Sequence, residues 1–207
     1  MCRAALVCLL ACVSSLRAGS SPRTALPVTV LLDFEQPHSS ASFAALHQEL
    51  ERILKPARLK VDLRIKSEVA PLSEFGELLL FKMKGHCTMD VLPIGALLDE
   101  RGPLAMTYSV DGQLLSFGEV ECDRVRQSVQ SVLGRGNPEA HQAALGVALA
   151  RVMAHEMYHM IANSAAHTKN GVTKESLSGR ELSQDALPLA GYVSDALRTR
   201  TGAFKPR

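Results

Sequence analysis

The sequence predicts an α+β domain with an α/β start, in which a mixed, twisted sheet packs on one long buried helix. Three observations carry that prediction. The chain after its first twenty residues opens strand, helix, strand. An Asp-Gly pair sits between two strand-like runs near its middle. From Asn137 to Asn163 the pattern stays helical, and its second half, LGVALARVMAHEMYHMI, is apolar on almost every side.

The elements follow in order. PVTVLLDF (27–34) is β-branched and apolar, and reads as a strand. SASFAALHQELERIL (40–54) places Phe43, Leu46, Leu50, Ile53 and Leu54 at helical spacing, with Ser40 or Ser42 as N-cap. LKVDLRIKSEV (59–69) alternates and reads as a half-buried strand. A β-α-β unit of this kind favours a right-handed parallel crossover. GELLLFKMKGHC (76–87) is a third strand, and a short helix is expected near Leu92–Leu98. LAMTYSV and QLLSFGEV, joined by Asp111-Gly112, form a hairpin, because both turn residues tolerate positive φ. DRVRQSVQSVLGRG (123–136) reads as a helix ending at Gly134 or Gly136. Asn137-Pro138-Glu139 starts the long helix with an N-cap, a first-turn proline and a first-turn acid. A short helix follows at SGRELSQDAL, a last one at 189–200, and 201–207 reads as a loose tail.

The chain has 207 residues, 46% hydrophobic and 21% charged, enough for one domain with a true core. Without Trp, that core must come mostly from Leu, Val, Ala and Met. Residues 1–20 have the pattern of a secretory signal, with an early Arg3, an apolar run from Ala4 to Val13, and small residues near Ala18 or Ser20 where cleavage is expected. Leu9-Leu10-Ala11-Cys12 is also similar to a lipoprotein cleavage box, so a lipid on Cys12 is the minor alternative. The expected location is therefore secreted, periplasmic or otherwise extracytoplasmic. No later segment is long and apolar enough to span a membrane.

Removing residues 1–20 takes away Arg3 and Arg17, so 23 Lys+Arg become 21 against 21 Asp+Glu. Near-neutral charge gives no electrostatic case for nucleic acid or an anionic membrane as partner. Cys87 and Cys122 alone remain of five cysteines. An even pair in an oxidising compartment predicts one disulfide, the alternative being two buried thiols.

His155 and His159 differ by about 40° around a helix and lie one turn apart. Their rings can converge on one ion, while Glu156 reaches past it without ligating, which is why His-Glu-x-x-His on a helix signals a zinc hydrolase. Unpaired histidines would be costly in so apolar a helix. Three protein ligands and a water are usual for catalytic zinc. His167 is the expected third ligand, because Asn163 can end the helix in a left-handed turn and bring the chain back. Glu175 and Glu181 compete for that place, although Glu181 also completes a capping box with Ser178. Tyr192 and Arg180 are candidate oxyanion donors. No Gly-x-Ser-x-Gly supports a serine nucleophile, and no second Glu-x-x-His on a predicted helix supports a di-iron centre.

HEMYHMIANSAAH followed by TKNGVTKESLSG resembles the zincin metallopeptidases, and more narrowly short secreted bacterial zincin-like proteins. The resemblance is metzincin-like, but the third histidine follows the second by eight residues where metzincins have six. It covers residues 145–182. It implies a single zincin-like catalytic domain over 21–200 that holds Zn²⁺ through His155, His159 and His167. It further implies hydrolysis of a peptide or protein substrate by a metal-activated water, with Glu156 as general base. In zincins an antiparallel edge strand borders the cleft, and LLSFGEV (114–120) is the candidate by position. The alternative is a non-catalytic exported binding protein whose metal site is structural or lost.

Overall fold

A computed structural model describes residues 27–89, 102–134 and 136–203. The expected helix near Leu92–Leu98 lies outside the described residues, as do the signal segment and residues 204–207.

β1 (Pro27–Phe34), α1 (Ser40–Leu54) and β2 (Lys60–Ile65) form the opening unit, and β1 and β2 pair in parallel. β3 (Glu77–Lys84) lies on the other side of β1, also parallel. β4 (Ala105–Val110) and β5 (Gln113–Glu121) make the hairpin, and β5 pairs parallel to β3. The strand order is β2-β1-β3-β5-β4, a mixed sheet whose only antiparallel neighbour pair among the described residues is the hairpin. Asp111 and Gly112 both have positive φ, 51° and 76°, as a tight hairpin of this twist requires. Lys84 reaches Glu121 and Glu119 on the neighbouring strand at 3.1 and 3.5 Å, so charge supports the β3–β5 register.

Alternate residues Leu79, Phe81 and Met83 of β3, with Val120 of β5, are buried, so one face of the sheet carries the core. Against it pack α1 and α3 (Pro138–Ala162). α2 (Cys122–Gln130), α4 (Gly179–Ser183) and α5 (Gly191–Ala203) complete a small α+β domain. α3 is buried nearly all round from Leu145 to Ile161, which explains its lack of an amphipathic stripe. Its Asn137 side chain caps the backbone N–H groups of Glu139 and Ala140, as the sequence predicts.

Gly146 sits where α3 crosses α1. A Cβ there would lie 2.1 Å from the Ser42 carbonyl oxygen and 2.9 Å from the Ala45 Cβ. Alanine gains about 1 kcal/mol of helix propensity, but a backbone oxygen at that range cannot yield without moving a helix. Gly146→Ala is therefore expected to destabilise the fold by about 1–3 kcal/mol, read as a lower urea midpoint at unchanged slope.

Several boundaries differ from the sequence prediction. The cap of α1 is Ser39, whose Oγ accepts from the Ser42 N–H, rather than Ser40 or Ser42. β2 ends at Ile65 because its pairing with β1 stops at Leu32, and a 3₁₀ turn follows. α2 stops at Gln130, short of Gly134, and Ser131 at its end donates its hydroxyl to the Ser128 carbonyl. α5 continues to Ala203, into the segment predicted as tail.

The predicted edge strand also needs correction. Residues 114–120 belong to β5, which is flanked by β3 and β4, so β4 is the edge. The hairpin signal gives two adjacent strands but not which of them meets β3.

Cys87 and Cys122 are bonded, with their Cα atoms 4.9 Å apart and both side chains buried. The bridge closes a loop of 35 residues that contains the whole hairpin. In the chain-entropy account, constraint of the unfolded chain by such a loop contributes about 3–4 kcal/mol. Among the described residues no helix is long and apolar enough to cross a membrane.

Candidate metal centre

The site is assembled by the end of one helix and the loop that follows it. His155 and His159 stand one turn apart near the C-terminus of α3. Asn163 ends that helix in a left-handed conformation, φ 46°, as its residue type allows. The turn brings His167 back over the helix. Its ring centroid is 5.1 Å from that of His155 and 4.9 Å from that of His159. One ligating nitrogen from each of the three lies within 4.8 Å of the others. His159 is buried, His155 partly buried and His167 exposed, so the cluster opens to solvent on the His167 side.

Two backbone carbonyls set the tautomers. His155 donates its Nδ1–H to the Val172 carbonyl at 3.0 Å, and His159 donates its own to Ser164 at 2.6 Å. A carbonyl can only accept, so each neutral ring carries its lone pair on Nε2. Those two Nε2 atoms face each other at 2.9 Å. Two lone pairs so placed repel unless something positive lies against them. A proton on His155 is disfavoured, since burial, then the neighbouring His159, push its pKa down to about 4 despite the Val172 carbonyl. A divalent cation meets the requirement, and two nitrogens on one tetrahedral zinc would stand about 3.3 Å apart. The donor set therefore fits a divalent ion such as Zn²⁺, with carbonyls orienting the ligands from behind as metal-bound histidines require.

Glu156 is buried and points to β4. Thr107 donates its hydroxyl to Glu156 Oε2 at 2.6 Å. Burial raises the Glu156 pKa, and the Thr107 hydroxyl and the nearby histidines offset part of that rise. A carboxyl made more basic, and held by Thr107 through its hydroxyl and its backbone, suits a proton acceptor. The cluster lines a cleft of about 560 Å³ between β4 on one side and residues 174–177 on the other. Comparison of the chain with protein-family models, with curated proteins and with solved structures finds no match. The arrangement itself, His-Glu-x-x-His on a buried helix with a third histidine from the following loop, is of the zinc-binding kind.

The other candidates fall elsewhere. Glu181 spends both oxygens, on Lys174 Nζ at 2.7 Å and on the Ser178 N–H and hydroxyl at 2.9 and 2.7 Å. Lys174, then Ser178, lower its pKa to about 2. Glu175 lines the cleft but is not in the three-histidine cluster. Tyr192 is 62% exposed on α5, and neither it nor Arg180 is among the described residues lining the cleft.

Sequence reasoning missed Thr107, Ser164 and Val172. The two carbonyls carry no residue-type signal, and a lone threonine in a strand gives no hint of facing a carboxylate. Asn163 has a second role, because its side-chain oxygen accepts from the Leu114 N–H at 3.1 Å and ties the hairpin to the end of α3. Thr107→Val keeps the shape and removes the hydroxyl. If Thr107 orients Glu156, this variant should lower kcat about tenfold, equivalent to one charge-assisted hydrogen bond, with zinc content unchanged. Thr107→Ser should restore most of the loss.

Proposed function

We propose that this chain is an exported zinc-dependent metallopeptidase of zincin type, metzincin-like in its ligand set. In this reading residues 1–20 are a signal peptide and 21–200 a single catalytic domain. The observation that carries it is the pair of Nε2 lone pairs facing each other at 2.9 Å beside His167 and one residue from a buried carboxylate.

His155, His159 and His167 would hold the ion. When bound, it supplies Lewis acidity, which brings the pKa of water toward about 7 and polarises a carbonyl. Glu156 accepts a proton from water. It then passes that proton to the amine nitrogen as the peptide bond breaks. Thr107 holds the carboxylate in place during both transfers. The cleft brings the substrate carbonyl to the histidine cluster.

The direct test is digestion of unfolded proteins by the zinc-loaded chain, with products read by mass spectrometry. The expected result is cleavage that a chelator stops and added zinc restores. Cleavage indifferent to chelator, or none from fully zinc-loaded protein, would contradict the reading.

A further inference from the structure

Charge along the cleft is unevenly spent. Lys174 and Glu175 are adjacent in sequence and both line it. Lys174 is neutralised from behind, because its Nζ lies 2.7 Å from Glu181 Oε1. Glu181 is itself fixed by the capping box at the start of α4. Glu175 has no ion pair or hydrogen bond among the described residues, and its side chain is exposed. The other described lining residues are apolar, neutral or part of the histidine and Glu156 cluster, with Leu104, Leu114 and Leu177 among the apolar ones. The Arg124 guanidinium lies against Gly102, and Arg124 is not itself among the described lining residues.

The position of Glu175 is also held. Thr173, two residues before it, is buried, and its hydroxyl and that of Thr168 lie 2.9 Å apart. Thr168 also donates its N–H to the Thr173 carbonyl at 3.0 Å. Lys174 is anchored to Glu181, and three residues after Glu175 the chain enters the Ser178 cap. An unpaired carboxylate on a braced segment, facing a cleft in which the one lysine among the described lining residues is already neutralised, is a preorganised receptor for a cation.

We propose that Glu175 forms a cation-selective subsite, so that the bond cut in this cleft is flanked by a lysine or arginine side chain. This rests on the peptidase reading above. It gives Glu175 a role distinct from the metal ligands, consistent with its place outside the three-histidine cluster. The contact lies on the open side of the cleft, so its contribution falls as ionic strength rises.

The test uses the zinc-loaded full chain on a mixture of N-acetylated, C-amidated peptides, so that only side chains carry charge. All cleavages are counted by mass spectrometry for the parent, Glu175→Gln and Glu175→Lys. The parent should favour Lys or Arg beside the cut bond by about tenfold over uncharged residues of similar length. Glu175→Gln should lose that preference while still cutting neutral peptides, and Glu175→Lys should turn it toward Asp and Glu. Cleavage by the parent without a basic preference, or a preference unchanged in both variants, would overturn the subsite and leave the peptidase reading standing. No cleavage by zinc-loaded parent would overturn both. Glu175 is exposed and unpartnered, so neither substitution is expected to disturb folding, and equal zinc content in all three proteins checks that.

Discussion

Glu156→Gln is expected to lower kcat by about 10²–10⁴-fold, the usual contribution of a positioned general base, while zinc content stays at the parent level. The amide keeps the shape of the side chain, and its oxygen can still accept from the Thr107 hydroxyl. It cannot take a proton from water. Stability should not suffer. Burial raises the Glu156 pKa, so the folded state disfavours its charged form, and the neutral amide removes that cost. Peptide turnover, metal analysis and a urea midpoint on the same preparation separate these effects. Loss of turnover together with loss of zinc would place Glu156 among the metal ligands. Unchanged turnover would remove it from the chemistry.

Arg151→Met carries the largest stability effect. Arg151 lies one turn before His155, is 1% exposed, and joins three elements. Its Nε donates to Glu49 on α1 at 2.8 Å, and its Nη1 donates to the carbonyls of Glu181 and Leu182 on α4 at 2.9 and 3.0 Å. Removing it strands the carbonyls of Glu181 and Leu182, the second of them buried, and leaves Glu49 to Arg52 alone. Breaking a buried pair costs about 3–5 kcal/mol, and the remaining Arg52 puts this case near 3 kcal/mol. The pH dependence has a definite sign. Burial pushes the Glu49 pKa up, but hydrogen bonds from Arg52 and Arg151 outweigh burial and hold it below its ordinary value. Its stabilisation is present above the unfolded value near 4.5 and is lost as pH falls through the folded one. Urea midpoints from pH 6 down to pH 3 should therefore fall less steeply in Arg151→Met than in the parent. Parallel curves would mean that Arg151 does not shift Glu49.

Local signals were the legible part of this fold. The Asn137 cap, the Asp111-Gly112 turn, the left-handed Asn163 and the Ser178 box are written in residue types that favour one backbone conformation, and each is found where predicted. The clustering of the three histidines is local too: two histidines one helical turn apart need only helix geometry to converge, and His167 needs only the Asn163 turn. Long-range pairing was not legible. Nothing local tells β5 rather than β4 to pair with β3, so the edge was assigned to the wrong half of the hairpin. Thr107 became visible only once that edge was known, because its role depends on which strand passes Glu156. The carbonyls of Ser164 and Val172 belong to no residue type at all. They orient the histidines through the backbone path of the loop, which only the folded chain reveals.

The central claim is that three histidines hold one ion, and metal stoichiometry tests it most directly. Residues 21–207 would be purified, loaded with zinc, freed of excess and analysed by mass spectrometry beside His155→Ala and His167→Ala. One zinc per chain is expected in the parent and well below one in both variants. No zinc in the loaded parent, or zinc fully retained when either histidine is removed, would contradict it.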